Sequence, residues 1–196
     1  QGLAWGPAGL PVDFRGDEAR YRDGLRNLPK IAAGLERAGV TRVGTWLMPG
    51  HATLTYLENF KLHARRLREV AAILKDHGQR LGLEYVGTLT LRASRKLPFV
   101  HCLKETRELI SAIGTGNVGL VPDSWHWWQA GDTVEDLLTL TNEEVISVDI
   151  NDAPRGVEKN QQVDGQRELP VATGVIDLKS FLEALGKIGY DGPVRA

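Results

Sequence analysis

The chain has 196 residues, of which 42% are hydrophobic and 25% are charged, a balance typical of a globular domain with a sizeable core. Lys and Arg together number 24 and Asp and Glu number 25, so the net charge is −1. This balance offers no basic field for a phosphate backbone. No apolar run reaches the roughly 18 residues that cross a bilayer. We therefore expect neither nucleic acid nor a membrane as a partner.

The single cysteine, Cys102, cannot form a disulfide within the chain. It falls on the apolar stripe of a predicted helix, where a thiol behaves as a small buried hydrophobic group. A lone, unpaired cysteine fits a reducing compartment, so we expect a cytoplasmic protein.

Short apolar strand candidates alternate with amphipathic helices, and glycines mark the helix ends. Residues 2–5 form a candidate for an early strand. The elements that follow in the first half of the chain are a helix with the apolar stripe Leu28, Ile31, Ala32 and Leu35 that ends at Gly39, a strand over 42–48, a helix with the stripe Phe60, Ala64, Leu67, Ala71 and Leu74 that ends at Gly78, and a strand over 81–86.

The same alternation continues in the second half of the chain. Its predicted elements are a helix with the stripe Phe99, Leu103, Thr106, Ile110 and Ile113 that ends at Gly114, a strand over 117–121, a short helix begun by Thr133 with Asp136 at capping-box spacing, a strand over 145–150, a helix over 177–188 capped by Asp177, and a strand from Pro193.

Repeated βα units without a Gly-rich dinucleotide fingerprint favour an α/β fold of the (β/α)8 TIM-barrel type over a Rossmann sheet. The chain holds about six βα units, whereas eight usually take roughly 250 residues. We therefore expect residues 1–196 to form a single, partial TIM-barrel domain that lacks two units before Gln1 and the end of the last strand after Ala196. The sequence leaves open whether copies of the chain form a homo-oligomer.

Acidic residues follow three consecutive predicted strands. Glu84 lies in the strand 81–86, Asp123 and His126 follow the strand 117–121, and Asp149 lies at the end of the next strand. In a parallel barrel these ends meet at one mouth, where active sites form. Carboxylates brought together there repel one another unless they share a proton or a cation. The pattern predicts a divalent metal site, with Mn, Mg or Co favoured by oxygen ligands and Zn as a further candidate.

A simpler interpretation stays open for each residue. Asp123 could cap the following segment, and His126 could be a hydrogen-bonded core histidine. Trp125 could offer its face to sugar C–H groups or could pack in the core. Of the other histidines, His51 lies at a strand end and is a weaker candidate for substrate contact. We predict that the other three are surface or packing residues, namely His63, His77 and His101.

A set of short motifs in this order resembles the xylose isomerase-like TIM-barrel family of sugar phosphate isomerases and epimerases. The motifs are Leu81-Gly-Leu-Glu-Tyr-Val-Gly87, Asp123-Ser-Trp-His126, Asn151-Asp152-Ala153, Arg167-Glu-Leu-Pro170 followed by Gly174-Val-Ile-Asp177, and Ile188-Gly-Tyr-Asp-Gly-Pro-Val194. The resemblance implies a metal-dependent enzyme that moves a proton between adjacent carbons of a sugar.

The resemblance also implies roles for single residues. Glu84 matches a metal-ligating glutamate that also acts as acid and base, and Asp123 matches a second ligand. His126 and Arg155 match residues that bind substrate oxygens. Asp149 stands where the family more often has a metal-binding histidine, which shifts the preference away from zinc. The family's fourth ligand, a glutamate, would follow Ala196.

The implied reaction passes through an enediolate, with Glu84 as the base and a divalent ion that stabilises the negative charge. The segment 154–173 is expected to form a mobile loop over the site or a plain surface loop. Two alternatives from the same fold stay open, a non-catalytic sugar-binding barrel and a lyase of the inosose dehydratase kind. An apurinic endonuclease is disfavoured by the neutral charge balance.

Overall fold

The computed structural model describes residues 5–196. The strand candidate at residues 2–5 therefore lies, except for Trp5, outside the described residues. The first described strand is the short β1 at Ala8–Gly9.

Strands and helices alternate along the described chain. In order they are β1 (Ala8–Gly9), α1 (Glu18–Arg37), β2 (Arg42–Leu47), β3 (Gly50–His51), α2 (Tyr56–Asp76), β4 (Arg80–Tyr85), α3 (Leu89–Ala93), β5 (Leu97–Pro98), α4 (Leu103–Ile113), β6 (Val118–Leu120), α5 (Ser124–Ala130), α6 (Val134–Leu138), β7 (Val148–Asp149), α7 (Leu178–Lys187) and β8 (Val194–Arg195), with 3-10 turns at Asn142–Glu144 and Lys159–Gln161.

The main strands are parallel and lie side by side in chain order. One sheet has the order β1-β2-β4-β6, and β7 pairs with β8 in a second sheet. Parallel bridges from Leu120 to Val145 and from Asp123 to Asp149 continue the first sheet into the second. This arrangement confirms the prediction of an α/β fold of the TIM-barrel type, in which all strand ends that carry the acidic residues lie on one side.

Helix ends follow from local chemistry. Asp17 caps α1 by accepting a hydrogen bond from the Arg20 amide, which starts this helix well before the predicted stripe at Leu28. Thr55 and Glu58 form a capping box at the start of α2. The predicted stop at Gly39 adopts a φ of 77°, a left-handed conformation that favours glycine.

The core of the described residues consists of two hydrophobic clusters. One part packs α1 and α2 against the sheet through residues such as Leu28, Leu67 and Leu81, and the other packs α5 and α7 through Trp125 and Phe181. Both parts bury their side chains completely at these positions. The wall that carries the strand ends is therefore rigidly packed.

One predicted helix boundary and the predicted position of Cys102 were wrong. The helix expected from Phe99 begins only at Leu103, because the preceding β5 pairs antiparallel with β3 and holds that segment extended. Cys102 consequently occupies the N-cap position of α4 and is partly exposed, not part of a helical stripe. Within the described range, no helix combines the length and the apolar character needed to cross a membrane.

Candidate functional site

Three of the predicted site residues lie together at the carboxyl ends of the strands. Glu84 lies near the end of β4, Asp123 follows β6, and His126 lies in the first turn of α5. The Glu84 Oε1 atom is 3.5 Å from His126 Nε2. Each of the three residues offers one potential metal-ligating atom, and these atoms all lie within 4.8 Å of one another. All three atoms can therefore face one small cation.

Asp123 uses its two oxygens for different tasks. Its Oδ1 accepts hydrogen bonds from the amides of Trp125, at 2.7 Å, and His126, at 3.3 Å, and so caps α5. Its Oδ2 lies on the site and accepts a hydrogen bond of 2.7 Å from Arg167 Nη1. The helix-cap interpretation and the site interpretation thus hold together, because capping fixes the carboxylate that faces the mouth.

The His126 ring is oriented with a lone pair towards the site. Arg167 Nη2 lies 2.9 Å from His126 Nε2, and a guanidinium can only donate. The Nε2 atom must therefore accept, which places the ring proton on Nδ1, 3.4 Å from the Thr88 hydroxyl. Burial lowers the pKa of His126, so the ring stays neutral. A neutral imidazole nitrogen with a lone pair is a good metal ligand once the Arg167 hydrogen bond is released.

Glu84 carries the most perturbed carboxyl group of the site. Burial raises the pKa of Glu84 well above its usual value, and the charges of Asp123 and Asp149 raise it further, while Arg167 partly offsets them. A buried carboxylate among other carboxylates is stabilised by a proton or by a nearby cation. The site therefore has a strong electrostatic demand for positive charge.

Arg167 meets part of that demand. Besides Asp123 and His126, its guanidinium binds Asp164 Oδ1 at 2.7 Å and lies 5.5 Å from the centre of the Trp125 ring. Sequence reasoning placed Arg167 in a family motif but gave it no role. The signal that could have found it is the charge balance, since buried acidic groups need a basic partner.

Asp149 faces a different basic residue. Arg195 of β8 donates to its Oδ1 at 3.0 Å and to its Oδ2 at 2.5 Å in a bidentate pair. The bridge between Asp123 and Asp149 keeps the two residues adjacent across neighbouring strands. Within the described residues, Asp149 is not part of the group of ligating atoms that lie within 4.8 Å of one another.

The two remaining predicted substrate-binding residues lie around this group. Arg155 has an exposed side chain that donates to the Thr173 carbonyl oxygen. Trp125 is fully buried and donates from Nε1 to the Thr88 hydroxyl at 3.2 Å. Its ring lies behind Arg167. The structure thus gives Trp125 a supporting position and places Arg155 within the loop.

Asp152 anchors the segment 154–173 that carries Arg167. Its carboxylate accepts hydrogen bonds from the amides of Ala153, Thr173, Gly174 and Ile176. Burial opposes ionisation, but these four donors outweigh it and hold the pKa of Asp152 well below its usual value. The segment is therefore tied to the barrel at both ends and lies over the mouth.

The donor set fits a divalent cation. Two carboxylate oxygens and one imidazole nitrogen are ligands that Mn, Co and Zn accept, and all three belong to side chains that are mostly buried. The same lone pairs of Asp123 and His126 that would bind the ion receive hydrogen bonds from Arg167. Binding of an ion at this position would therefore require Arg167 to move.

The family follows from comparison with known proteins. Residues 5–195 match the family model of the xylose isomerase-like TIM barrel. The chain belongs to this family. This confirms the resemblance inferred from the sequence motifs and the barrel fold.

Individual relatives agree with that assignment. The chain is 27% identical over 181 residues to an inosose isomerase of Bacillus velezensis, which covers 91% of the chain and 60% of the relative. It is 38% identical to a xylose isomerase domain protein of Alicyclobacillus acidocaldarius, with a TM-score of 0.90, over 100% of the chain and 68% of that protein. The chain thus spans about 60% of the length of the curated inosose isomerase of B. velezensis.

A third comparison bears on the fold. The structure of an IOLI protein with a bound zinc atom superposes with a TM-score of 0.78 at 23% identity, over 96% of the chain and 64% of that protein. At this identity the likeness shows the shared fold alone. The zinc belongs to that protein.

Proposed function

We propose that the protein containing this chain is a divalent-metal-dependent isomerase or epimerase of sugars or sugar-like polyhydroxy ketones. The observation that carries the proposal is the group of Glu84, Asp123 and His126 at the barrel mouth, with ligating atoms within 4.8 Å of one another. The inosose isomerase of B. velezensis supports a polyhydroxy ketone as substrate. We propose Mn, Mg or Co as the metal, with Zn as a further candidate, and the cytoplasm as the compartment.

In this proposal Glu84 and its neighbours have distinct tasks. Glu84, Asp123 and His126 would hold the cation, which would polarise a substrate carbonyl and make the adjacent C–H more acidic. Glu84 would take the proton from that carbon, because its carboxyl group is buried and its pKa is raised well above its usual range. The capping bonds at Asp123 and the packing of α5 keep the two other ligands in register.

Roles at the site remain proposals for three further residues, His126 and Arg155 as predicted substrate-binding residues and Asp149 as a predicted metal ligand. His126 is better placed to hold the cation than in a role limited to substrate contact, since its lone pair faces Glu84. Asp149 could join the cation only if its pair with Arg195 opened. Arg155 could reach substrate oxygens only after it leaves the Thr173 carbonyl.

A second candidate is a metal-free sugar-binding barrel. It is favoured by the two arginines, since Arg167 neutralises Asp123 and Arg195 neutralises Asp149. In that case the guanidinium groups would take the place of the ion and would donate to sugar hydroxyls. Such a barrel would have no need of a base at Glu84.

Deuterium uptake distinguishes the two candidates. The full-length protein with added divalent metal is incubated in D2O with ketoses, aldoses and inososes, and incorporation is followed by mass spectrometry. The proposed enzyme places deuterium on one carbon next to a carbonyl, and E84Q abolishes this uptake. E183Q, on the exposed face of α7, serves as the control and keeps it. Uptake that persists in E84Q would remove Glu84 from the base role, and no uptake in the wild type with any metal would favour the binding barrel.

A further inference from the structure

A second cavity, with several polar side chains in a mostly apolar lining, lies beside the candidate metal site. It has a volume of about 280 Å³, and its lining includes His51, Asn59, His63 and Trp46. Trp46 pairs with Glu84 across β2 and β4, and it also lines the hollow around Glu84 and His126. The two spaces are therefore neighbours on the same face of the barrel, with the Trp46 side chain between them.

Two buried atoms in the lining have no protein partner. His63 Nε2 and Asn59 Oδ1 make no hydrogen bond with any described residue, and the two residues are 4% and 2% exposed. Buried polar groups are nearly always paired, and leaving one unpaired is costly. Both residues line the cavity, although the two atoms are shielded from it as it stands, so a ligand that supplies the missing hydrogen bonds would reach them after a small shift of the side chains around them.

The tautomer of His63 decides the polarity of that ligand. Its Nδ1 lies 2.9 Å from the Asn59 carbonyl oxygen and must donate there. Burial lowers the pKa of His63 to about 4, so the ring is neutral and Nε2 bears a lone pair. His63 Nε2 can therefore only accept a hydrogen bond, so the ligand must carry a donor.

His51 offers the opposite polarity. Its Nδ1 accepts from the amides of Leu54, at 2.8 Å, and Thr53, at 3.1 Å. In the neutral ring the proton is then on Nε2, which can donate. An acceptor at His63 and a donor at His51 suit hydroxyl groups, since a hydroxyl donates and accepts at once.

Arg15 and Arg95 also line the cavity, but they do not change the preference for a hydroxyl-bearing ligand over an anion. The Arg15 guanidinium lies over the Trp46 ring at 4.1 Å and is already hydrogen-bonded to the Trp46 carbonyl oxygen. Arg95 is exposed at the rim. A phosphate in the cavity would set its oxygens against the lone pair of His63, whereas a neutral hydroxyl would not.

We propose that this cavity is a subsite for the neutral, hydroxyl-bearing part of the substrate remote from the reacting carbons. This rests on the proposed function for the meaning of "substrate", but the subsite can be tested without turnover. Its residues, His63 and Asn59 on α2 and His51 on β3, belong to different elements from the metal ligands. Such a subsite would make the enzyme select polyhydroxylated substrates that extend past Trp46.

Nitrogen NMR of the histidine rings tests the subsite directly. Metal-free, full-length E84Q protein is titrated with erythritol and, separately, with glycerol 3-phosphate and inorganic phosphate. We expect erythritol to shift the His63 Nε2 resonance in the direction of an accepted hydrogen bond, with no protonation of the ring. Inorganic phosphate should leave the His63 Nε2 resonance unshifted. Protonation of His63 by the phosphate compounds, or no shift with erythritol, would overturn the proposal.

A matched set of variants supplies the second readout. H63F keeps an aromatic ring beside Phe14 and Phe99 but removes the Nε2 acceptor together with the Nδ1 donor to the Asn59 carbonyl oxygen. H63Q restores an acceptor, and H77Q changes a partly exposed histidine at the end of the same helix. For whichever polyhydroxylated substrate shows exchange, we expect H63F to raise KM about tenfold with little change in kcat, as for one lost hydrogen bond.

H63Q should recover most of that KM, and H77Q should match the wild type. An unchanged KM in folded H63F, or a fall in kcat alone, would contradict the subsite. Because the NMR arm uses no metal and no turnover, the subsite can fail while exchange at Glu84 succeeds, and the reverse outcome is equally visible.

Discussion

At the scale of single residues, the site is governed by buried negative charge. Glu84 and Asp123 face one small space, and Asp149 adds its charge from the neighbouring strand. The arginines that compensate them, Arg167 and Arg195, come from positions 44 and 46 residues away from their aspartates in sequence. Each charge is therefore balanced only after the whole barrel has formed.

Removal of Arg167 should strengthen metal binding. The guanidinium occupies the lone pairs of Asp123 and His126 that a metal would use, so R167M removes a competitor. The loss of a charge-assisted hydrogen bond of about 1.5–3 kcal/mol corresponds to a Kd for Mn²⁺ that is roughly tenfold lower or more. Isothermal titration measures it. R155M, an exposed arginine of the same loop, is the control for metal affinity. A higher Kd for Mn²⁺ in R167M than in the wild type would show that Arg167 stabilises the bound ion.

His63 should make the fold sensitive to acid. Burial lowers its pKa to about 4, below about 6.5 in an unfolded chain, so between these values the unfolded state binds more protons. Stability contributed by the neutral ring is complete above the unfolded pKa and falls as the pH drops towards the folded pKa. We expect the free energy of unfolding to fall by about 2–3 kcal/mol between about pH 7 and about pH 4.5 from this group alone.

Urea unfolding of the wild type and H63F measures that contribution. The phenylalanine cannot titrate, so the decline with falling pH should be smaller in H63F by the amount just given. Equal declines in the two proteins would show that His63 titrates normally in the folded state.

Residue by residue, the sequence predicted the acidic cluster better than its partners. Glu84, Asp123 and His126 could be found because strand ends in a parallel barrel meet at one mouth. The tautomer of His126 and the unpaired lone pair of His63 could not be predicted from the sequence, because both depend on contacts between different elements. His63 was expected to be an ordinary packing residue, and its ring does pack between Phe14 and Phe99.

At the scale of elements, the segment 154–173 links the barrel to the site. It carries Arg167 to Asp123, and the antiparallel bridge between Asp152 and Glu168 fixes its return. Asp152 holds its far end through the amides of Thr173, Gly174 and Ile176. One buried carboxylate thereby positions the loop.

D152N should loosen this loop. The amide loses the negative charge, and its NH2 group opposes the backbone donors that it would meet. Because hydrogen bonds to charged groups contribute about 1.5–3 kcal/mol, we expect hydrogen exchange at the amides of Thr173, Gly174 and Ile176 to accelerate by roughly tenfold or more. Exchange followed by mass spectrometry measures it. E158Q, exposed in the same loop, should exchange like the wild type. Unchanged protection in D152N would assign the anchoring to other contacts.

The main elements could be predicted because their signals are local. Gly39, Gly78 and Gly114 end helices or lie just beyond them with positive φ, as their positions suggested. The start of α4 was misplaced because Phe99 is apolar for a different reason, namely packing against Tyr56 next to the β3–β5 pair. Helix α5 was missed, although Asp123 provides its cap. Its close approach to Gly87, where a Cβ would lie 2.3 Å from the His126 carbonyl oxygen, is a tertiary feature.

At the scale of the whole molecule, the parallel order of strands makes one face of the barrel chemically distinct. The group of potential metal ligands, the loop that carries Arg167 and the cavity lined by His51 and His63 all lie at the carboxyl ends of strands. The packed cores below them fix the strands, and the side chains of Arg167, Arg195 and Trp46 border the space at the mouth.

Metal binding by the full-length protein tests the central claim most directly. Purified apoprotein is titrated with Mn²⁺, and the bound ion is counted by electron paramagnetic resonance and elemental analysis. We predict one ion per chain in the wild type, loss of binding by at least a hundredfold in E84Q and D123N, and wild-type affinity in E183Q. One ion bound equally well by E84Q and D123N, or no bound ion in the wild type, would contradict a metal centre formed by these side chains.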